Sequence, residues 1–167
     1  MTQTSDYQAT MTTDALDDGP ILVADDDDSL RELCSRVLLA QGHEVHTASL
    51  AEEALTLAAQ NNYRVVFLDL KMPGMDGIEC LRRLKALGCR ADVVMITGYG
   101  NVSTAVEAMK VGARDFIEKP FRPDDLHAML QDILTRQRQT VSEDPIVAFI
   151  QTNATQIGSR KDVANRL

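Results

Sequence analysis

Between Pro20 and Arg138 the chain passes five times from a short strand-like run to a segment with helical apolar spacing. The runs are Ile21-Leu22-Val23-Ala24, Glu44-Val45-His46-Thr47-Ala48, Val65-Val66-Phe67-Leu68, Val93-Val94-Met95-Ile96 and Asp115-Phe116-Ile117-Glu118. The first helical segment repeats Leu30, Leu33, Cys34, Val37 and Leu38 and stops near Gly42. Later ones are expected to turn inward Ala54, Leu55 and Ala58; Ile78, Leu81 and Leu84; Val102, Ala105, Val106 and Met109 before Gly112; and Leu126, Met129, Leu130, Ile133 and Leu134. This spacing is that of amphipathic helices. Strands joined by crossover helices are parallel, and continuous apolar runs belong to strands covered on both faces. The expected fold is α/β, a doubly wound five-stranded parallel sheet.

In such a sheet, ligands bind outside the carboxyl ends of the strands. The residues that follow each run are therefore the candidates for chemistry. The first run ends in Asp25-Asp26-Asp27-Asp28, the third in Asp69, the fourth in Thr97 and the fifth in Lys119. Four adjacent acids repel one another unless a cation neutralises them, although Asp27 or Asp28 also suits the N-cap of the following helix. Asp69 precedes Lys71-Met72-Pro73-Gly74-Met75-Asp76-Gly77, a turn-rich loop, and a strand-end Asp can simply cap such a turn. Taken together, carboxylates at 25, 26 and 69 form a hard oxygen site suited to Mg²⁺. Lys119 would neutralise a phosphoryl group and Thr97 would donate to it. Asp69 is then a carboxylate nucleophile able to form an aspartyl-phosphate.

The 167 residues are 44% hydrophobic and 25% charged, enough for a sizeable core. Residues 1–120 carry 11 Lys and Arg against 19 Asp and Glu, and residues 121–167 carry six of each. The acidic part is a poor partner for nucleic acid, which needs clustered cations. No apolar run approaches the roughly 20 residues of a membrane span, and the N-terminus has no signal pattern. Cys34, Cys80 and Cys89 lack metal-type spacing. The expected setting is cytoplasmic and reducing, with no membrane partner.

From Ile21 to Arg138 the chain resembles the receiver domain of two-component response regulators. The motifs are Ile21-Leu22-Val23-Ala24-Asp25-Asp26-Asp27, Leu68-Asp69-Leu70-Lys71-Met72-Pro73-Gly74-Met75-Asp76-Gly77, Ile96-Thr97-Gly98-Tyr99-Gly100 and Gly112-Ala113-Arg114-Asp115-Phe116-Ile117-Glu118-Lys119-Pro120-Phe121. The resemblance implies a flavodoxin-like strand order 2-1-3-4-5 and a phosphorelay in which a sensor histidine kinase phosphorylates Asp69. It implies Mg²⁺ on Asp26, Asp69 and the carbonyl of Lys71, assisted by Asp25, with the first acid pair chosen for its spacing to Arg31. It also implies a cis Lys119-Pro120 bond, a switch coupling Thr97 to Phe116, and a homodimer through the fourth helix, fifth strand and fifth helix. Phe116 lacks the hydroxyl that Tyr supplies at this position in many members. Lys71 and Tyr99 would flank the path of the water that removes the phosphate.

An enzyme is not expected beyond slow self-dephosphorylation. A phosphatase of the haloacid-dehalogenase type wants a second acid two residues after its nucleophile, where this chain has Lys71. Residues 1–18 are polar and read as a disordered tail, 19–138 as the receiver domain, 139–144 as a linker and 145–167 as a helical extension. The last of these resembles the opening of an AraC-type helix-turn-helix without its recognition helix, and reads equally as an ordinary helical extension. The expected function is a response regulator that switches an output, here transcription, with DNA contact only through a complete helix-turn-helix. The alternative is a phosphotransfer or protein-contact switch without DNA output.

Overall fold

The computed structural model describes residues 19–98 and 102–143, with side chains to 139. The chain divides into two compact units, residues 1–127 and 128–167. The first holds strands β1 (Ile21–Ala24), β2 (Val45–Ala48), β3 (Val65–Asp69), β4 (Asp92–Thr97) and β5 (Asp115–Glu118). Between them run helices α1 (Asp28–Ala40), α2 (Ala51–Gln60), α3 (Gly77–Ala86) and α4 (Val102–Val111). All the strand pairs are parallel and the order is β2-β1-β3-β4-β5, as expected.

Strand pleating sends alternate side chains to opposite faces. Leu22, Ala24, Val66, Leu68, Val93, Met95 and Phe116 share one face and pack with Ala51 and Ala54 of α2, Leu81 and Leu84 of α3, and Ala105 and Ala108 of α4. The other parity, Ile21, Val23, Val65, Phe67, Val94, Ile96 and Ile117, is also buried. A strand exposed on neither face needs no polar alternation, which explains why these segments read as unbroken apolar runs. All three cysteines are free. Burial, reinforced by the charge of Asp25, pushes the Cys34 thiol up to about 12. Burial likewise pushes Cys80 up to about 11, so neither thiol is a nucleophile near neutral pH.

Helix α5 runs from Pro123 to Glu143 and continues from the first unit into the second. In the second unit Leu130, Ile133 and Leu134 are buried. The linker expected over 139–144 is helical through Glu143. Gln139-Thr140-Val141-Ser142-Glu143 contains neither Gly nor Pro, so nothing in it stops a helix before Pro145. The expected tail at 1–18 and the extension at 145–167 lie outside the described residues.

Candidate functional site

The carboxyl ends of β1, β3, β4 and β5 deliver Asp25, Asp69, Thr97 and Lys119 as expected. Asp25 is fully buried, and its Oδ1 accepts the Asp27 N–H at 2.9 Å. Its backbone carbonyl accepts from Arg31 Nη1 at 2.7 Å. The acid run divides its labour. Asp27 caps α1, accepting from the N–H groups of Ser29 and Leu30 at 2.9 and 3.2 Å. Asp28 pairs with Arg31, while Asp25 and exposed Asp26 turn towards Asp69.

Asp69 ends β3 and is almost fully buried. Its Oδ1 accepts the N–H of Lys71 at 3.2 Å, the turn bond that a strand-end Asp commonly makes. The capping role and the site role are therefore filled by one carboxylate. Lys119 Nζ stands 3.0 Å from Asp25 Oδ2 and 3.5 Å from Asp69 Oδ2. Burial, and then the charge of Asp25, push the Asp69 carboxyl up to about 7. Burial pulls the Lys119 ammonium down, but hydrogen bonding to Asp25 and the charges of both aspartates outweigh it, and Lys119 sits above its ordinary value.

One carboxylate oxygen from each of Asp25, Asp26 and Asp69 lies within 4.8 Å of the others. Asp25 Oδ2 is buried and meets the Lys119 ammonium at 3.0 Å, so one cation faces three converging carboxylates. The remaining negative charge is what a hard divalent cation neutralises. The donor set fits Mg²⁺. Thr97 is fully buried, and its hydroxyl donates to the Gly98 carbonyl at 3.1 Å. Phe116 is half-buried on the same sheet face as Thr97, opposite Met95 and two register positions behind the Thr97–Glu118 pair. Lys119-Pro120 is cis.

These strand-end groups assemble on a sheet that known proteins share. The family profile described as the response regulator receiver domain matches residues 21–131. The chain belongs to this family. It is 40% identical to the regulatory protein AtoC of Escherichia coli over 117 residues, covering 70% of this chain and 25% of AtoC. It is 34% identical to the transcriptional regulatory protein FixJ of Bradyrhizobium diazoefficiens, covering 86% of this chain and 70% of FixJ. Of the Staphylococcus aureus transcriptional regulatory protein SrrA it spans 51%. Among solved structures, the receiver domain of NtrX from Brucella abortus is 42% identical with a TM-score of 0.66, covering 69% of this chain and 98% of that one. A CheY-like receiver from Methanospirillum hungatei is 30% identical with a TM-score of 0.69, covering 73% of this chain and 98% of that one. Receivers of this class belong to two-component systems and are characteristically phosphorylated on Asp.

Two residues of this receiver were not marked as site residues by the sequence. Arg31 was used only for its spacing, yet it fixes the backbone of Asp25. Gly77 looks in the sequence like one more turn glycine, yet its Cα lies against the peptide of Asp69 and Leu70, and its N–H donates to the Leu70 carbonyl at 3.0 Å. The signal for each was its position alone, since contact across a loop leaves no periodicity. Among the described residues, no helix is long and apolar enough to cross a membrane.

Metal affinity should follow the ionisation of Asp69. A ligand carboxyl must be deprotonated, so Mg²⁺ binding competes with its proton. With that group at about 7, affinity measured by titration calorimetry should fall roughly tenfold for each pH unit below about 7 and level off above it. Equal affinity at pH 5.5 and 8 would contradict the ligand role.

Proposed function

We propose that this receiver accepts a phosphoryl group on Asp69 from the phosphohistidine of a sensor kinase and thereby switches transcription. An Asp69 oxygen bonds to phosphorus as the phosphorus–nitrogen bond breaks, and the imidazole nitrogen keeps the electron pair and takes up a proton. Asp26, Asp69 and the Lys71 carbonyl would hold Mg²⁺, with Asp25 beside them. Bound there, the ion supplies positive charge to the phosphoryl oxygens. Lys119 supplies a second charge from the carboxyl end of β5, and its two carboxylate contacts aim it at the acceptor. The observation that carries the reading is the buried Asp69 carboxylate at the end of the central strand, with Asp25 beside it and the Lys119 ammonium reaching both.

Thr97 is the switch. Its hydroxyl leaves the Gly98 carbonyl for a phosphoryl oxygen, and Phe116 moves into the space behind it, a local charge change biasing a two-state element. The transcriptional output is supported by the similarity to FixJ and SrrA, both transcriptional regulatory proteins. Self-association through the fourth helix, fifth strand and fifth helix is supported by Val102, Val106 and Met109, expected inward but exposed on α4, where the small Ala105 and Ala108 take the core face.

Acetyl phosphate tests both parts on the intact chain. A gain of one phosphate by intact mass, present with Mg²⁺ and absent without it, is expected, together with a shift to dimer in sedimentation. An unmodified chain that still binds Mg²⁺ would overturn the phosphoacceptor role. In Lys119→Ala the phosphorylation rate should drop by about tenfold or more, since a preorganised cation at the developing charge is lost. An unchanged rate in that variant would remove Lys119 from the machinery.

A further inference from the structure

On the helical layer away from Asp69, α2 and α3 leave a groove between them. Its two parts, about 390 and 440 Å³, share Ala59 and Leu87. The part with Leu55, Ala86 and an exposed Leu87 has an apolar floor, the part beside Asn61 and Asn62 is more polar, and Arg83 and Arg90 stand on the walls. Arg83 also meets Glu79 at 3.1 Å, while Arg90 is exposed at the end beside Cys89. Residues 82–90 hold Arg82, Arg83, Lys85 and Arg90 and no acid, a local excess of positive charge in an otherwise acidic part of the chain.

The chain enters the described fold at the mouth of this groove. Gly19 lies so close to the loop after α2 that a Cβ there would meet the Asn62 carbonyl oxygen at 2.8 Å. The next residue is pinned as well, since the Pro20 carbonyl accepts the Arg64 N–H at 2.9 Å. Asn62 itself lines the groove. The 18 residues before Gly19 contain Asp6, Asp14, Asp17 and Asp18, no Lys or Arg, and, after Met1, three large apolar residues, Tyr7, Met11 and Leu16. Their reach, up to about 60 Å if extended, exceeds any span this groove requires.

We propose that residues 1–18 of this same chain dock in the α2–α3 groove, with their aspartates towards Arg83 and Arg90 and Tyr7, Met11 and Leu16 covering its apolar floor. Charge complementarity selects this segment over a basic one, and the tether raises its local concentration above that of a free peptide. The contact does not depend on phosphorylation chemistry, so it stands or falls apart from the function proposed above.

Cys89 is the built-in reporter. It lines the groove and is half-exposed, whereas Cys34 and Cys80 are buried. Alkylation of the full chain with iodoacetamide, followed by intact mass, therefore reads one thiol. The full-length variant carrying Tyr7→Ser, Met11→Ser and Leu16→Ser keeps every charge and should be alkylated about fivefold faster than wild type, the protection expected of a weak segment at millimolar effective concentration. Wild type at 1 M salt should also be faster, because the ionic part is then screened. Equal rates for wild type and the triple variant would overturn the proposal. Protection that disappears on dilution would also overturn it, by making a second copy the occupant.

Discussion

Asp69→Asn should abolish the Mg²⁺-dependent gain of phosphate while leaving the fold intact and, without metal, more stable. The amide keeps the size and the turn acceptor for the Lys71 N–H but is no nucleophile. The stability gain follows first from the burial of the ionised Asp69 carboxylate and then from its repulsion by Asp25. Asp69 titrates at about 7 in the folded protein against 3.8 for the free side chain. Its folded value is raised, so the folded state holds a proton that the unfolded state has lost, and native stability falls as pH rises from about 4 to about 7. The advantage of Asn over Asp should therefore be absent near pH 4 and full above pH 7. Allowing for partial screening, it should reach about 1–2 kcal/mol there. Urea unfolding of both proteins at pH 4 and pH 8, without divalent cations, measures it. A variant less stable than wild type at pH 8 would show that Asp69 contributes to the metal-free fold rather than straining it.

Gly77→Ala should damage both fold and site. A Cβ at this position would lie 2.4 Å from the Asp69 carbonyl oxygen and 2.7 Å from the Leu70 Cα. Both are backbone atoms at the end of the central strand, so no side chain can swing aside. The strain must go into moving the loop 70–77 away from β3 or shifting the Asp69 peptide. Either outcome breaks the Gly77 N–H bond to the Leu70 carbonyl and turns the Asp69 carboxylate from Asp25 and Lys119. Overpacking against unyielding atoms costs about 3 kcal/mol or more. A fall in melting temperature of about 5 °C or more, with loss of phosphorylation by acetyl phosphate, is expected. Gly74→Ala tests a different cause, because its neighbours leave room but its φ is +90°. That variant should lose stability through backbone strain, by about 1 kcal/mol, and keep the phosphorylation chemistry.

The sequence alone determined the order of elements, the parallel sheet and the strand-end residues of the site. Alternation of apolar runs with helical spacing admits few topologies, and a doubly covered sheet forces Asp25, Asp69, Thr97 and Lys119 to one edge. It also separated capping acids from site acids in outline, because a helix N-cap has a local signature at Asp27. Tertiary structure alone decided which groups meet across the edge, and at what cost. That Lys119 pairs more closely with Asp25 than with Asp69 depends on how strands distant in sequence end together. So does the raised ionisation of Asp69, which needs burial and a like charge from another strand. Gly77 is the sharpest case: its conformation is ordinary, and only the Asp69 peptide lying against it excludes a methyl group. Local chemistry is written in neighbouring residues, whereas contacts across a loop and the dielectric around a carboxylate exist only once the chain has closed on itself.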